Sequence, residues 1–487
     1  MKRLLTFFLV TIMILSLCAC GNSAPGEETP TGLHVGFGRE NVMPDTITNA
    51  HLGGDDDPFR KATGMLDYLT VTCIALKDGN GEPVLVYSID FNNSKDNWVA
   101  PIRTAISEEI GIAENRILIA ATHTHSGVSM SYEWNGLGQY KSKVQSAMTK
   151  AAQTALADLG ICELYYGNTD AGDLLNVRHY RMADGTVKSS GLSVDQPDIV
   201  EHPAEEDGEL QVIRFDREEG KKDVVLVCFN PHTTFNGNVK KTELSADFPG
   251  PLRDYIEAQG DYQAAYFIGD GGNQAPTSYL SSEDHGFNDY KSYGQELGRR
   301  VIEMLPGLTK SESTALSLNS RTFTGKSNKE KLDLLPQAKE IVAVHEAQGR
   351  EASYELAASY GIYQHVEAYA IVRRARAEET LSMNLAVMAL GDQLSMLFAP
   401  YEMVSESGSA IRANTPYDMT FLATCANGGL GYLPSLAACE YGCYESYTTK
   451  FAPGTAEDLV EEYLDMLTKL KNGESETANT VVDTSED

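Results

Sequence analysis

The sequence predicts an α/β fold, a single large mixed α/β domain over residues 33–470, and three observations carry that prediction. Short apolar runs alternate with stretches of helical periodicity between residues 33 and 167. A second group of strand-like runs follows near residues 210–229, and the chain closes on an amphipathic helix that starts near residue 455. No internal repeat and no linker interrupts this pattern, so one domain is the simplest reading despite the length.

Taken in order, residues 68–76 and 83–90 are rich in β-branched and apolar side chains, and Asp78-Gly79-Asn80-Gly81 between them is a strong hairpin turn. Residues 99–110 follow as a helix, and Arg116-Ile117-Leu118-Ile119-Ala120-Ala121 as a short strand. Beyond a glycine-rich loop, Val144, Met148, Ala151, Ala152, Ala155 and Leu156 share one helical face. Strands are expected again at 210–215 and 223–229. Residues 327–360 read as helical with a break at Pro336, and 385–398 as a hairpin turning at Gly391-Asp392. In the last helix Thr455 is the expected cap, Asp458 holds the capping-box position, and Leu459, Tyr463, Met466, Leu467 and Leu470 form the inner stripe.

The start of the chain has the pattern of an export signal over residues 1–19: Lys2 and Arg3 precede an apolar run too short for a comfortable membrane span. It ends in Leu17-Cys18-Ala19-Cys20, which resembles a bacterial lipobox, with Cys18 an unusual occupant of its position. The resemblance implies cleavage before Cys20 and diacylglyceryl modification of that cysteine, and two acyl chains meet the requirement for stable anchoring. Residues 20–32 read as a flexible tether and 471–487 as a disordered acidic tail. The mature protein is therefore expected on the extracytoplasmic face of a bacterial membrane, lipid-anchored; free release after an ordinary secretory signal is the alternative.

Composition narrows the partners. The 487 residues are 42% hydrophobic with a net charge of −30, so the clustered Lys and Arg that nucleic acid or anionic lipid would require are not expected. The acidic stretches Asp55-Asp56-Asp57 and 201–209 follow no EF-hand pattern and read as solvated surface. Cys73, Cys162, Cys228, Cys425, Cys439 and Cys443 form no CxxC or zinc-ribbon pattern and read as buried thiols, with a Cys439–Cys443 bond as the alternative.

The most informative motif is Ala121-Thr122-His123-Thr124-His125-Ser126-Gly127, where an apolar strand runs straight into two histidines. If the chain stays extended through His125, both imidazoles leave the same face. Such a pair suits a zinc hydrolase, because neutral imidazole binds Zn²⁺ and also handles protons near neutral pH. A loop pair with no metal is the competing reading. His232 repeats the pattern, just past the strand 223–229, and has a satisfied core histidine as its alternative.

Several separated segments resemble the neutral ceramidase family, zinc-dependent amidases that cleave the N-acyl bond of ceramide. They are the histidine motif above, Asn176-Val177-Arg178, Pro231-His232-Thr233, Ser245-Ala246-Asp247-Phe248-Pro249-Gly250, Gly269-Asp270, Pro400-Tyr401-Glu402, and residues 427–445, in family order over nearly all of 33–470. The resemblance implies that His123, His232, Glu402 and Tyr432 hold one catalytic Zn²⁺, and that His125, Arg178 and Tyr444 stand around the scissile amide. Two histidines and a carboxylate leave a position for water, whose pKa a zinc ion lowers from about 15.7 toward about 7. A phenol titrates near 10, so Tyr432 would be a weak ligand that the cation favours in its ionised form. His125 then suits proton transfer and Arg178 an electrostatic or orienting role, with a carboxylate or carbonyl expected behind each ligand imidazole. Tyr432 and Tyr444 also have ordinary packing as an alternative, and Glu402 the acidic start of a helix.

The departures from the family are informative. Where the longer enzymes carry Gly-Asp-Val-Ser-Pro, this chain has Gly269-Asp270-Gly271-Gly272-Asn273-Gln274-Ala275-Pro276, which rules out a serine nucleophile there. Gly271, Gly272 and Asn273 are the candidates to hydrogen-bond substrate or oxyanion instead. No C-terminal β-sandwich like that of the longer members is expected after the final helix. The expected substrate is an N-acyl lipid or related small molecule, ceramide-like or otherwise. The rival function is a solute-binding lipoprotein that keeps the fold without the chemistry; a metal-independent serine hydrolase lacks its Gly-x-Ser-x-Gly elbow.

Overall fold

The computed structural model describes residues 32–54, 60–79, 81–189, 198–236, 242–277, 287, 289–474 and 481–483. The export signal, Cys20, the tether up to residue 31 and Asp55-Asp56-Asp57 lie outside the described residues.

Eight strands build the main path of a nine-stranded sheet: β1 (Leu33–Asn41), β2 (Thr70–Asp78), β3 (Val84–Ile89), β4 (Ile117–Ala121), β5 (Gly160–Asp170), β6 (Glu209–Arg217), β7 (Asp223–Phe229) and β8 (Tyr262–Ile268). Their order is β8-β7-β6-β5-β1-β2-β3-β4; β7 pairs with β8 and β3 with β4 in parallel, the other neighbours antiparallel. Burial on both faces explains why these strands read as nearly continuous apolar runs. Along β2, Val71, Cys73 and Ala75 turn to one core while Ile74 and Leu76 turn to another, as the two-residue strand period requires.

The first core lies under four helices, α1 (Asp96–Ile110), α2 (Leu137–Ala157), α3 (Pro249–Ala258) and α4 (Tyr290–Met304). The second lies between the large sheet and a five-stranded one, made of β9 (Leu316–Lys326), β10 (Thr380–Leu390), β11 (Leu394–Phe398), β12 (Met419–Ala423) and Val481–Asp483. Three helices between β9 and β10, α5 (Leu335–Gln348), α6 (Arg350–Ser359) and α7 (His365–Arg374), pack on one another around Ile341, Ala357 and Ile371. After β11 come α8 (Ser405–Asn414), α9 (Leu436–Tyr441), α10 (Tyr444–Thr448) and α11 (Thr455–Lys471). Helices α8 and α11 cover the outer side of the second sheet, which completes four layers in the order helices, sheet, sheet, helices. Mixed α/β is therefore what the chain forms, and no described helix is long and apolar enough to cross a membrane.

The segment after β12 fixes the site. Thr424 N–H donates to Ile268 at the end of β8, Ala121 N–H at the end of β4 donates to Cys425, and Asn427 N–H donates to Ile119. One peptide thereby bridges the ends of the two edge strands, β8 and β4. It also brings the C-terminal ends of β4, β8 and β12 to one place.

Several local expectations change. The chain does not stay extended after Ala121: His123 takes a left-handed φ of 64°, a conformation that costs a non-glycine residue about 1–2 kcal/mol. Pro336 sits in the first turn of α5, where its missing N–H costs nothing, and the break falls at Gly349 instead, at φ 89°. Gly454 caps α11, and the Thr455 hydroxyl donates back to Ala452 O rather than accepting a cap bond. Glu402 begins a two-residue strand paired in parallel with Tyr432–Leu433, not a helix. Cys439 and Cys443 are free thiols, as are the other four described cysteines. The tail is not wholly without structure, since Val481–Asp483 pair in parallel with Thr322–Thr324 at the edge of the second sheet.

Candidate metal centre

Four loops deliver the site, each from the end of a strand. Beyond β4 the turn at His123 is held on all sides: Thr122 N–H donates to Ile89 O, His125 N–H to Thr233 O, and the Thr233 hydroxyl to Thr122 O. Strain at an unfavourable φ persists only where neighbours fix it this way. Beyond β7 comes His232, beyond β8 the turn Gly271–Asn273, and the Glu402–Met403 strand supplies the carboxylate.

His123 Nδ1 donates to Asn92 O at 2.5 Å and His232 Nδ1 to Gly271 O at 2.6 Å. A carbonyl only accepts, so both Nδ1 atoms carry a proton, and in each ring Nε2 is the nitrogen that faces Glu402. Glu402 Oε2 lies 3.3 Å from His123 Nε2 and 3.4 Å from His232 Nε2. It is nevertheless a buried oxygen with no hydrogen-bond partner. Burial pushes the Glu402 carboxyl upward, but the facing His123 and His232 outweigh it and hold the group well below the usual carboxylate range. Burial, followed by the Arg178 charge, brings His232 down to about 4. Burial pushes His123 down, but Cys425 and Glu402 outweigh it and hold that imidazole well above 6.5, so the Glu402 carboxylate draws positive charge to the point where a cation would sit. The donor set of imidazole nitrogen and carboxylate oxygen fits Zn²⁺.

Tyr432 completes the group, its hydroxyl 3.2 Å from His232 Nε2 and its ring stacked on that imidazole at 6.0 Å. Burial and then the Glu402 charge push this phenol well above 10, so only a nearby cation would favour its ionised form. His125 Nε2 stands 3.4 Å from His123 Nε2 despite the lost strand alternation. His123, His125 and His232 form a compact triad of their own, so geometry alone offers two donor sets sharing His123 and His232. Burial and then the neighbouring His123 and His232 push His125 well below 6.5, which keeps it neutral. Gly54 makes room for that ring: a Cβ there would come within 2.3 Å of His125 Cγ.

Arg178 lies one layer out. Its Nε and Nη2 donate to Glu445 Oε1 at 3.0 and 2.8 Å, and Nη2 also donates to Gly272 O at 2.7 Å. The guanidinium faces the rings of Tyr432 and Tyr444 at 5.6 and 5.9 Å. Gly271, Gly272 and Asn273 do not face the cavity as expected. Their carbonyls hold His232 and Arg178, and the Asn273 side chain is taken by Ser405 and Glu406. They support the site from behind.

A cavity of about 330 Å³ opens over His123, His125, Glu402, Tyr432 and Tyr444, with Phe91, Trp98 and Met130 on its far wall. A second lobe of about 440 Å³ shares Lys95, Glu402, Tyr432 and Tyr444 with the first and extends beneath α7. Sequence reasoning brought His123, His125, His232, Glu402, Tyr432, Tyr444 and Arg178 to one place. It missed Asn92, the thiol of Cys425 at 3.5 Å from His123 Nδ1, and Glu445. Asn92 had a readable signal, because it follows β3, the parallel neighbour of the strand that delivers His123.

Set beside solved structures, the chain shares its fold with neutral ceramidase. It is 15% identical to the crystal structure of neutral ceramidase from Pseudomonas aeruginosa, with a TM-score of 0.69 over 93% of this chain and 77% of that one. A structure of ceramidase complexed with C2 is similar at 15% identity and a TM-score of 0.67, covering 94% of this chain and 78% of the other. No family model and no curated protein matches the chain.

Proposed function

We propose that this protein is a zinc-dependent amidohydrolase that cleaves the N-acyl bond of a lipid amide. The observation that carries the reading is the buried Glu402 oxygen, aimed with two imidazole Nε2 atoms at one point and lacking any hydrogen-bond partner, at the floor of a cavity. The likeness of fold to neutral ceramidase supports the reaction class. His123, His232, Glu402 and Tyr432 would hold the ion, because a carboxylate in the set offsets the double charge and leaves His125 free for protons. A zinc ion there supplies Lewis acidity at the acyl carbonyl and makes water acidic near neutral pH.

The chain's own groups do the rest. Neutral His125 accepts the proton of the attacking water as the C–O bond forms, and returns it to the nitrogen as the C–N bond breaks, giving a carboxylic acid and an amine. Tyr444 lines both lobes and donates toward the carbonyl oxygen as its charge develops. Arg178 is a positioning residue, clamped by Glu445 and braced against both tyrosine rings. Apolar Phe91, Trp98 and Met130 offer the acyl chain a wall.

The test is metal analysis joined to hydrolysis of an N-acyl panel. One zinc per chain is expected, His123→Ala should lose both zinc and activity, and zinc-free wild-type protein with full amidase activity would overturn the reading. The activity is proposed to act from the outer face of a bacterial membrane through Cys20. Cys20→Ser should then move the protein from the detergent phase to the aqueous phase in phase-partition assays, and an unchanged distribution would remove the anchor.

A further inference from the structure

The second lobe of the cavity carries a charge pattern that a neutral ceramide-like molecule does not explain. Lys95, Arg373 and Lys450 line it from three parts of the chain: the residue before α1, the last turn of α7 and the loop after α10. Three cations along one lobe, of which Lys95 also borders the first, are unusual for a protein with 39 basic against 69 acidic residues. Two carboxylates share the wall, but Glu402 faces the imidazoles and Glu346 accepts from the Tyr369 hydroxyl. The Lys450 ammonium has no hydrogen-bond or ion-pair partner among the described residues. Burial, then Arg373 and Lys95, press it down to about 8, as like charges sharing a confined space must. Gly429 shows that the arrangement is built into the backbone, since a Cβ there would stand 2.5 Å from Lys95 Cγ and drive that side chain out of the lobe.

We propose that this lobe is an anion subsite, in which Lys95, Arg373 and Lys450 bind a carboxylate or phosphate carried on the amine portion of the substrate. The inference rests on the amidase reading for the position of the scissile bond, at the junction of the lobes beside Glu402 and Tyr444. The substrate class becomes N-acyl amines with an anionic head, such as N-acyl amino acids or phosphorylated N-acyl ethanolamines. A neutral head gains no ion pair from the three cations, whereas an anionic head gains charge-assisted hydrogen bonds.

Binding can be read apart from turnover with sulfonamides, which the reaction does not cleave. Calorimetry on the zinc-loaded full chain would compare N-(dodecylsulfonyl)glycine with the neutral N-(dodecylsulfonyl)glycinamide. The anionic probe should bind roughly tenfold to a hundredfold tighter, the range of one charge-assisted hydrogen bond. Lys450→Gln, and independently Arg373→Gln on another element, should narrow that ratio to about threefold or less with neutral-probe affinity unchanged. Relative kcat/KM for N-lauroylglycine and phosphorylated N-lauroylethanolamine then tells carboxylate from phosphate. Equal affinity for the two probes, or an equal loss for both in Lys450→Gln, would overturn the subsite. Retained probe preference without hydrolysis of any amide would leave the subsite standing and sink the amidase reading instead.

Discussion

Two buried clusters among the described residues offer the same kinds of metal donor, and they differ in how those donors are hydrogen-bonded. His123, His232 and Glu402 meet below the cavity; His179, Cys443 and Glu445 meet a short way behind it, around Arg178. In the second cluster every charge is answered. Glu445 Oε2 lies 2.8 Å from His179 Nε2, Oε1 takes Arg178, and His179 Nδ1 lies 2.8 Å from the Tyr441 hydroxyl. In the first, the Nδ1 protons are spent on carbonyls and Glu402 Oε2 is left without a hydrogen-bond partner beside both Nε2 atoms. The two clusters therefore differ in how far their polar atoms are satisfied rather than in donor identity.

The largest effect that tests this contrast belongs to Glu402. Glu402→Ala should abolish stoichiometric zinc, measured by plasma emission spectrometry, and lower amidase kcat/KM by at least about a thousandfold, a loss of roughly 4 kcal/mol of transition-state stabilisation. Its effect on folding should be destabilising at neutral pH in urea titrations, because His123 and His232 hold the Glu402 carboxyl well below its ordinary range and would lose that partner. A variant that keeps one zinc per chain would move the ion to the triad His123, His125 and His232 and leave Glu402 outside.

The next effect separates the two donor sets within the first cluster. His125→Ala should retain zinc and lose about a hundredfold to ten-thousandfold in kcat, the usual contribution of a positioned proton-transfer group. Loss of zinc in this variant, seen by the same metal analysis, would make His125 a ligand.

How far these roles were readable in the sequence follows from the range over which each residue acts. The two-residue and 3.6-residue periods placed β2, β3, β7 and the inner face of α11 because those patterns are set by the element itself. The family-like segments brought together His123, His232, Glu402 and Tyr432, though they lie far apart along the chain. The left-handed φ at His123 was not readable, since it is imposed by Ile89, Thr233 and the segment 424–427 from other strands. The same holds for Gly271–Asn273. A glycine-rich turn predicts free N–H groups, and only the packed fold shows its carbonyls facing His232 and Arg178. Glu445 went unnoticed beside Tyr444 because nothing local says that a carboxylate on a short helix is buried against an arginine and a histidine.

Glu445 gives the third test, this time of the satisfied cluster. Burial alone would raise its carboxyl, but His179 and Arg178 outweigh burial and bring it from an ordinary 4.5 to about 2. A group depressed on folding stabilises fully above its unfolded value and loses that contribution as pH falls through the folded one. The window here runs from about pH 4.5 down to about pH 2, and the contribution is about 3 kcal/mol. Glu445→Gln should therefore be less stable than wild type by about that amount at pH 7 in urea titrations, with the gap closing toward pH 2 and zinc content unchanged. A pH-independent gap would mean that the carboxylate acts through shape rather than charge.

The smallest effect is the most exposed to refutation. Tyr441→Phe removes only the hydroxyl 2.8 Å from His179 Nδ1, so it should cost about 1 kcal/mol of stability, one neutral hydrogen bond at a buried imidazole. Zinc content and kcat should stay at wild-type levels, because the change lies behind Glu445 and Arg178 rather than beside Glu402 Oε2. If the second cluster bound a metal of its own, His179 would be one of its ligands and the Tyr441 hydroxyl the group that orients it. The variant would then lose a second equivalent of metal on dialysis, and a drop from two equivalents to one would show that satisfied hydrogen bonds do not exclude an ion here. A constant single equivalent in both proteins keeps the distinction between the clusters where the geometry draws it.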